Sequence, residues 1–228
     1  MSGVAWQDWI RTVEIEPSIY AADFAHLGEQ IEILLRTGAR VFHFDVGDGH
    51  FIEPITMGPI VLQSIAPLVH AMGGVLDCHL MVDNPTKHFH QLARAGGDSV
   101  TFHYEAVDDV PATIAAAREH DLQVGIAFKP GTEPEDVAKV AQDVDMVLCM
   151  TIEPGYSGQE LLEGSIERIA RTRAAFPATV PVQVDGGVDN DNVRAVYDAG
   201  ATLIVAGSSI FQREDLQRSY RRLVQALA

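Results

Sequence analysis

"VFHFDVGDGHF", residues 41–51, is an apolar run interrupted by His43, Asp45, Asp48 and His50. Val41, Phe42, Phe44 and Val46 read as a strand covered on both faces, the pattern of a parallel sheet. Side chains two apart on a strand share a face, so His43 and Asp45 point the same way. Both come late in the strand, just before a glycine turn. Seven other runs share this look: "VEIEPSI", "GVLDCHLMV", "SVTFHYEA", "QVGIAFKP", "MVLCMTIEP", "PVQVDGG" and "LIVAGSSI". Amphipathic segments such as "DFAHLGEQIEILLRTG", "VPATIAAAREHD", "LLEGSIERIARTRAAF" and "NDNVRAVYDAG" lie between them. Several apolar-periodic stretches stop on glycine, at Gly38, Gly96 and Gly200, a C-terminal helix signal. Eight strands, each followed by a helical segment, predict an α/β fold, a single closed (β/α)₈ TIM barrel. The alternative, an open doubly wound sheet, would carry an early G-x-G-x-x-G turn, and the chain has none.

Composition agrees with one large domain. The chain has 228 residues, 47% of them apolar, and a formal net charge of −16. Such a surface repels nucleic acid and anionic membrane, so neither is an expected partner. An anionic substrate would need a local cradle of backbone N–H groups. No apolar run is long enough to span a bilayer, and the first residues lack a basic segment followed by an apolar block, so a cytoplasmic protein is expected. Cys78 and Cys149 lie far apart and are read as reduced, buried thiols. The barrel domain is assigned to residues 13–228 and an N-terminal extension to residues 1–12. In that extension Trp6, Trp9 and Ile10 are read as part of an arm packed on the surface, in preference to a plug on the barrel or a dimer contact.

Face sharing extends the opening observation. In "LDCHLMV" Asp77, His79 and Met81 share a face and Cys78 points the other way; in "VQVDGG" Gln183 and Asp185 share a face. Each polar residue comes at the end of its strand, the side where barrel enzymes keep their chemistry. His43, Asp45, His79 and Asp185 are therefore expected to converge at the mouth. Two imidazoles and two carboxylates suit one divalent ion, Zn²⁺, Fe²⁺, Mn²⁺ or Co²⁺. The competing reading is four separate side chains bonded to nearby backbone. His103, sharing a face with Thr101 and Glu105, is read as a neighbour of the site or a core residue rather than a ligand. His50 is read as a loop contact. Met81 and Met150 end strands near the mouth, as core filler or as a lid without hydrogen-bonding groups over a reactive carbon.

Glycines form a second constellation, in "EPGYSGQ", "DGGV" and "AGSSI". Gly186, Gly187, Gly207 and Ser208 fall in the loops after strands seven and eight, the usual phosphate position of such barrels. A helix starting near Ser209 would add N–H groups. Tight βα turns alone would also use glycine.

Taken together, "PSIYAADFAHLGEQI", "HFDVGDGHF", "LDCHLMVDNP", "MTIEPGYSGQ", "VDGGVDNDN" and "VAGSSIF" resemble the ribulose-phosphate 3-epimerase family, in order, over roughly residues 14–212. The resemblance implies a barrel of the ribulose-phosphate-binding type that inverts carbon 3 of a ketose phosphate, most simply D-ribulose 5-phosphate to D-xylulose 5-phosphate. It implies a divalent metal on His43, Asp45, His79 and Asp185, with Asp45 and Asp185 doubling as the acid–base pair. Ser18 and His79 would contact substrate, with Met81 and Met150 nearby. Gly155, Tyr156, Ser157, Gly158, Gly186, Gly187, Gly207 and Ser208 would line the phosphate end. A homo-oligomer is also implied. The chain departs from the family pattern at Gly47, where methionine is usual, at Glu53 and Pro54, and at Ser157. Gly47 is expected to open space beside the reacting carbons, and Glu53 to add charge near the entry. Those departures keep three rivals in view: an epimerase for allulose 6-phosphate, a hexulose-phosphate lyase on the same scaffold, and a sugar-phosphate sensor without activity.

Overall fold

The computed structural model describes residues 6–10 and 12–227, apart from the side chain of Gln7. Eight strands run in chain order: β1 (Glu14–Pro17), β2 (Val41–Gly47), β3 (Val75–Met81), β4 (Ser99–His103), β5 (Gln123–Phe128), β6 (Met146–Met150), β7 (Val182–Asp185) and β8 (Leu203–Ala206). All ladders are parallel, and the order β1-β8-β7-β6-β5-β4-β3-β2 brings the two ends of the sheet together. The seam between β1 and β2 is closed by one parallel bridge, Ser18 to His43. This is the predicted barrel.

Among the described residues the α-helices are α1 (Trp6–Trp9), α2 (Leu27–Thr37), α3 (Pro59–Ala71), α4 (Thr86–Ala95), α5 (Val110–Arg118), α6 (Pro134–Val140), α7 (Ser165–Ala175), α8 (Val193–Asp198), α9 (Ser208–Phe211) and α10 (Leu216–Ala226). Gly38 and Gly96 stop α2 and α4 in the left-handed conformation, where their N–H groups cap carbonyls of the last turn. The outward strand residues, among them Phe42, Phe44, Cys78, Val100 and Phe102, join the helices in one buried layer. Both cysteines are free and buried.

The inward residues divide by depth. Val41, Met146 and Leu203 begin their strands and cluster with Trp6 and Trp9, which are 1% and 5% exposed. The tryptophan turn thus fills the barrel's N-terminal end, where a surface arm was expected. The rest of that extension, residues 1–5 and 11, lies outside the described residues. Above this apolar floor the lumen is polar, with Glu16, His43, Asp77, His79, Ser99, Thr101, His103 and Gln183 all at 0% exposure. Among the described residues no helix is long and apolar enough to cross a membrane.

Candidate active site

Strand register brings the polar residues together. Asp45 pairs with His79 across β2 and β3, and Met150 with Asp185 across β6 and β7. His79 Nδ1 lies 3.2 Å from both Asp45 Oδ1 and His43 Nε2. His43 Nε2 is 3.3 Å from Asp45 Oδ1, and Asp185 Oδ2 is 3.9 Å from His43 and 3.8 Å from His79. All four donor atoms lie within 4.8 Å of one another. Donors on a tetrahedron with metal bonds of about 2.0–2.1 Å stand roughly 3.3 Å apart, so this set fits a small divalent cation. The expected convergence of His43, Asp45, His79 and Asp185 is present.

Each imidazole is held from behind. His43 Nδ1 donates to Asp77 Oδ2 at 3.0 Å, leaving Nε2 for the cluster. Asp77 also accepts from Ser99 Oγ at 2.7 Å and from Gln183 Nε2 at 2.8 Å. Gln183 Nε2 reaches Glu16 Oε2 as well, at 2.6 Å. Glu16, His43 and Asp77 form a second group of potential ligands, but the Gln183 amide already sits against both carboxylates. His79 uses its other nitrogen: Nε2 lies 2.9 Å from His103 Nε2. His103 is thus a neighbour of the site, as its shared face predicted, and burial leads the causes that lower it to about 4.

The two aspartates differ. Burial opposes ionisation of Asp45, but the charge and hydrogen bonds of His43 and His79 outweigh it and hold its carboxyl well below the usual range. Asp185 is pushed up, first by burial and then by the negative charge of Asp45. Burial also disfavours a charged His43, yet Asp45 and Asp77 overcome it and raise its value, so proton and cation compete for Nε2.

Above the cluster opens a cleft lined by Ser18, Tyr20, Asp45, Met81, Met150, Ile152, Gly155, Tyr156, Ser157, Gly158, Asp185, Gly186, Gly187, Val188, Val205, Gly207 and Ser208. Most of the residues singled out in the sequence are on its wall. His43 and His79 are not; they lie behind it at 0% exposure, which does not support the direct substrate contact expected of His79. Tyr20, Ile152, Val188 and Val205 were not anticipated, because apolar and aromatic residues at loop starts carry no pattern of their own. Gly187 has φ of 71°, and a Cβ there would come within 2.3 Å of the Leu161 backbone, so close loop packing already requires glycine. The helix after β8 starts at Ser208 and makes one turn only. His50 is an exposed loop residue whose N–H donates to Asp48 Oδ1, as expected.

Gly47 does not open space. A Cβ built on it would lie 2.6 Å from Ile52 Cδ1 and 2.9 Å from Pro54 O, so the loop has filled the position. Thr56 Oγ1 accepts the Gly47 N–H and donates to Asp45 O, each at 2.7 Å, tying that loop to the strand. Glu53 stands at the rim, where Tyr156 OH donates to its Oε2 at 3.2 Å.

Comparison with known proteins identifies the family of the chain. Residues 14–211 match the model of the ribulose-phosphate 3-epimerase family. The ribulose-phosphate 3-epimerase of Schizosaccharomyces pombe is 38% identical over 201 residues, 88% of each chain. That of Candida glabrata is 37% identical over 214 residues, covering 88% of this chain and 87% of the relative. A crystal structure of 3-hexulose-6-phosphate synthase superposes with a TM-score of 0.71 over 94% of this chain and all of the other, at 21% identity, a likeness of fold. With a matching model over nearly the whole barrel and relatives of this similarity, the chain belongs to the ribulose-phosphate 3-epimerase family.

Proposed function

We propose that this isomerase interconverts D-ribulose 5-phosphate and D-xylulose 5-phosphate, with Asp45 and Asp185 as its two proton-transfer groups. The observation that carries the reading is their arrangement. Both line one cleft, on strands from opposite halves of the chain, with pKa values displaced in opposite directions. Epimerisation beside a ketone removes a proton from one face of carbon 3 and returns one to the other. Asp45, held ionised and oriented by Ser18, takes the proton; Asp185, raised toward its neutral form, gives one from the opposite face, and the reverse reaction exchanges the roles. His43, Asp45, His79 and Asp185 would hold a divalent ion — Zn²⁺, Fe²⁺, Mn²⁺ or Co²⁺ — whose positive charge would offset the negative charge left when the proton leaves.

The remaining wall has two parts. Met81 and Met150 are 3% and 0% exposed, and their thioethers cover the reacting carbons without offering a competing proton. Gly155, Tyr156, Ser157, Gly158, Gly186, Gly187, Gly207 and Ser208 form the far end, where backbone N–H groups receive the phosphate in a chain whose net charge is −16. The occupied space at Gly47 removes the argument for a larger hexulose phosphate.

The same reading takes the enzyme as a cytoplasmic homo-oligomer. Two free, buried cysteines fit a reducing compartment, and Ile55 and Ile60, each 82% exposed, offer an apolar surface for a second copy.

The test is turnover of pentulose and hexulose phosphates in D₂O, with chelated protein reloaded by each metal. Ribulose 5-phosphate should be preferred, and one solvent deuterium should enter carbon 3 of the product. Preference for a hexulose phosphate would move the substrate, release of a one-carbon fragment would indicate a lyase, and binding without turnover a sensor.

A further inference from the structure

We infer that Glu53 is a positioning residue for the phosphate end of the cleft, acting through the Tyr156 hydroxyl. The inference rests on the reading of Gly155, Ser157 and Gly158 as part of that end. These residues belong to the loop that leaves β6 at Met150 and enters α7 at Ser165. Both ends of the loop are fixed. Thr151 N donates to Asp185 O at 2.9 Å and Thr151 Oγ1 to Gly186 O at 2.6 Å, while Leu162 N donates to Thr151 O at 3.0 Å. Between those ends one side chain folds the loop on itself. Gln159 Nε2 donates to Glu153 O at 2.8 Å and to Tyr156 O at 2.9 Å. Among the described residues, the bond from Tyr156 OH to Glu53 Oε2, at 3.2 Å, is the only hydrogen bond that ties residues 153–159 to another part of the chain.

That anchor sits beside the groups that need it. Gly155, Ser157 and Gly158 line the cleft, and their N–H groups make no hydrogen bond among the described residues. Backbone N–H groups that receive an anion bind it best when they already converge. Packing holds the loop from two sides without fixing its direction. A Cβ on Gly155 would lie 3.5 Å from Pro54 Cδ and 3.6 Å from Ile52 Cβ, so the loop after β2 flanks one side at ordinary contact distance. On the other side Ser157 Oγ lies 3.3 Å from the Cβ position of Gly207. The hydrogen bond adds the direction that these contacts lack. It also raises the Tyr156 phenol above its ordinary value, with the Glu53 charge second, so the hydroxyl remains a donor. Glu53 is exposed and does not line the cleft, so its link to the site runs through Tyr156.

The test uses full-length protein. It reads the Kd for inorganic phosphate by titration calorimetry, in chelated protein so that phosphate on the ion does not contribute, and KM and kcat for ribulose 5-phosphate in metal-loaded protein. Glu53→Ala should raise both Kd and KM ~2–10-fold, the scale of one hydrogen bond, with kcat changed less than twofold. Glu53→Gln keeps an oxygen for the phenol and should recover most of the lost affinity. Tyr156→Phe removes the same bond from its other end, so adding it to Glu53→Ala should cost less than a further twofold. A Kd in Glu53→Ala less than twofold above wild type would overturn the inference. So would equal weakening in Glu53→Gln and Glu53→Ala, which would assign the effect to charge, or losses that multiply in the double variant. If wild type does not bind inorganic phosphate, the reading of the phosphate end falls and the inference with it. If wild type binds phosphate but does not turn over ribulose 5-phosphate, only the substrate reading falls, and the Kd series still decides the role of Glu53.

Discussion

Ser18 Oγ donates to Asp45 Oδ2 at 2.7 Å, across the seam where β1 meets β2. Barrel closure and the orientation of a reacting carboxylate are therefore one contact. A hydrogen bond to a charged group is worth about 1.5–3 kcal/mol, a factor of roughly 10–100. Ser18→Ala should lower kcat/KM by that factor, measured with saturating metal. A variant within twofold of wild type would show that Asp45 is aligned without Ser18.

Asp185→Asn separates the two proton-transfer groups. The loss of a general acid or base typically costs about 10²–10⁴ in rate. Turnover should fall by at least ~100-fold in folded, metal-replete protein. Asp45 remains, so the carbon-3 proton of one epimer should still exchange with D₂O while conversion to the other epimer fails. Near-normal turnover in this variant would reject the two-carboxylate mechanism.

The filled space at Gly47 makes a packing prediction. Even one methyl group there meets Ile52 Cδ1 and the Pro54 carbonyl. Overpacking of this kind costs about 1–3 kcal/mol, with roughly 2–4 °C of Tm per kcal/mol in a chain of this size. Gly47→Ala should lower Tm accordingly, and adding Ile52→Ala should recover part of the loss, since the carbonyl clash remains. An unchanged Tm in Gly47→Ala would mean that the loop yields freely.

These residues also mark how far the sequence could be read. Face sharing on strands brought His43, Asp45, His79 and Asp185 together because a barrel strand imposes its period of two on both neighbours. Gly47 was misjudged because the filling atom comes from a loop five residues later, and no periodicity governs loop side chains. Trp6 and Trp9 lie on one helical turn, too short for an amphipathic pattern, and only the open end of the barrel decides that they are buried. Glu14 and Glu16 look like the solvent face of an edge strand. Pairing of β1 with β8 turns both into the lumen, at 1% and 0% exposure.

Glu16 gives the last prediction. Burial first, and the charge of Asp77 second, raise its pKa well above the ordinary glutamate value. Its Oε1 has no hydrogen-bond partner among the described residues, and Gln183 Nε2 donates to Oε2. Below about pH 4.3, the unfolded value, both states hold the proton and Glu16 adds no pH dependence. As pH rises, the unfolded chain releases the proton while the folded chain keeps it. Stability is then lost with rising pH, by up to about 1.4 kcal/mol per unit, until the folded value is reached. Glutamine has the same shape, does not titrate, and offers an oxygen to Gln183. The stability difference between Glu16→Gln and wild type, by urea unfolding of chelator-treated protein, should be smallest near pH 4 and grow in favour of the variant toward pH 8. Glu16 Oε2 also lies 3.9 Å from His43 Nδ1, so the difference reads Glu16 together with its coupling to His43 and Asp77. A gap that stays flat across this range would mean that Glu16 ionises in the folded lumen as easily as in water.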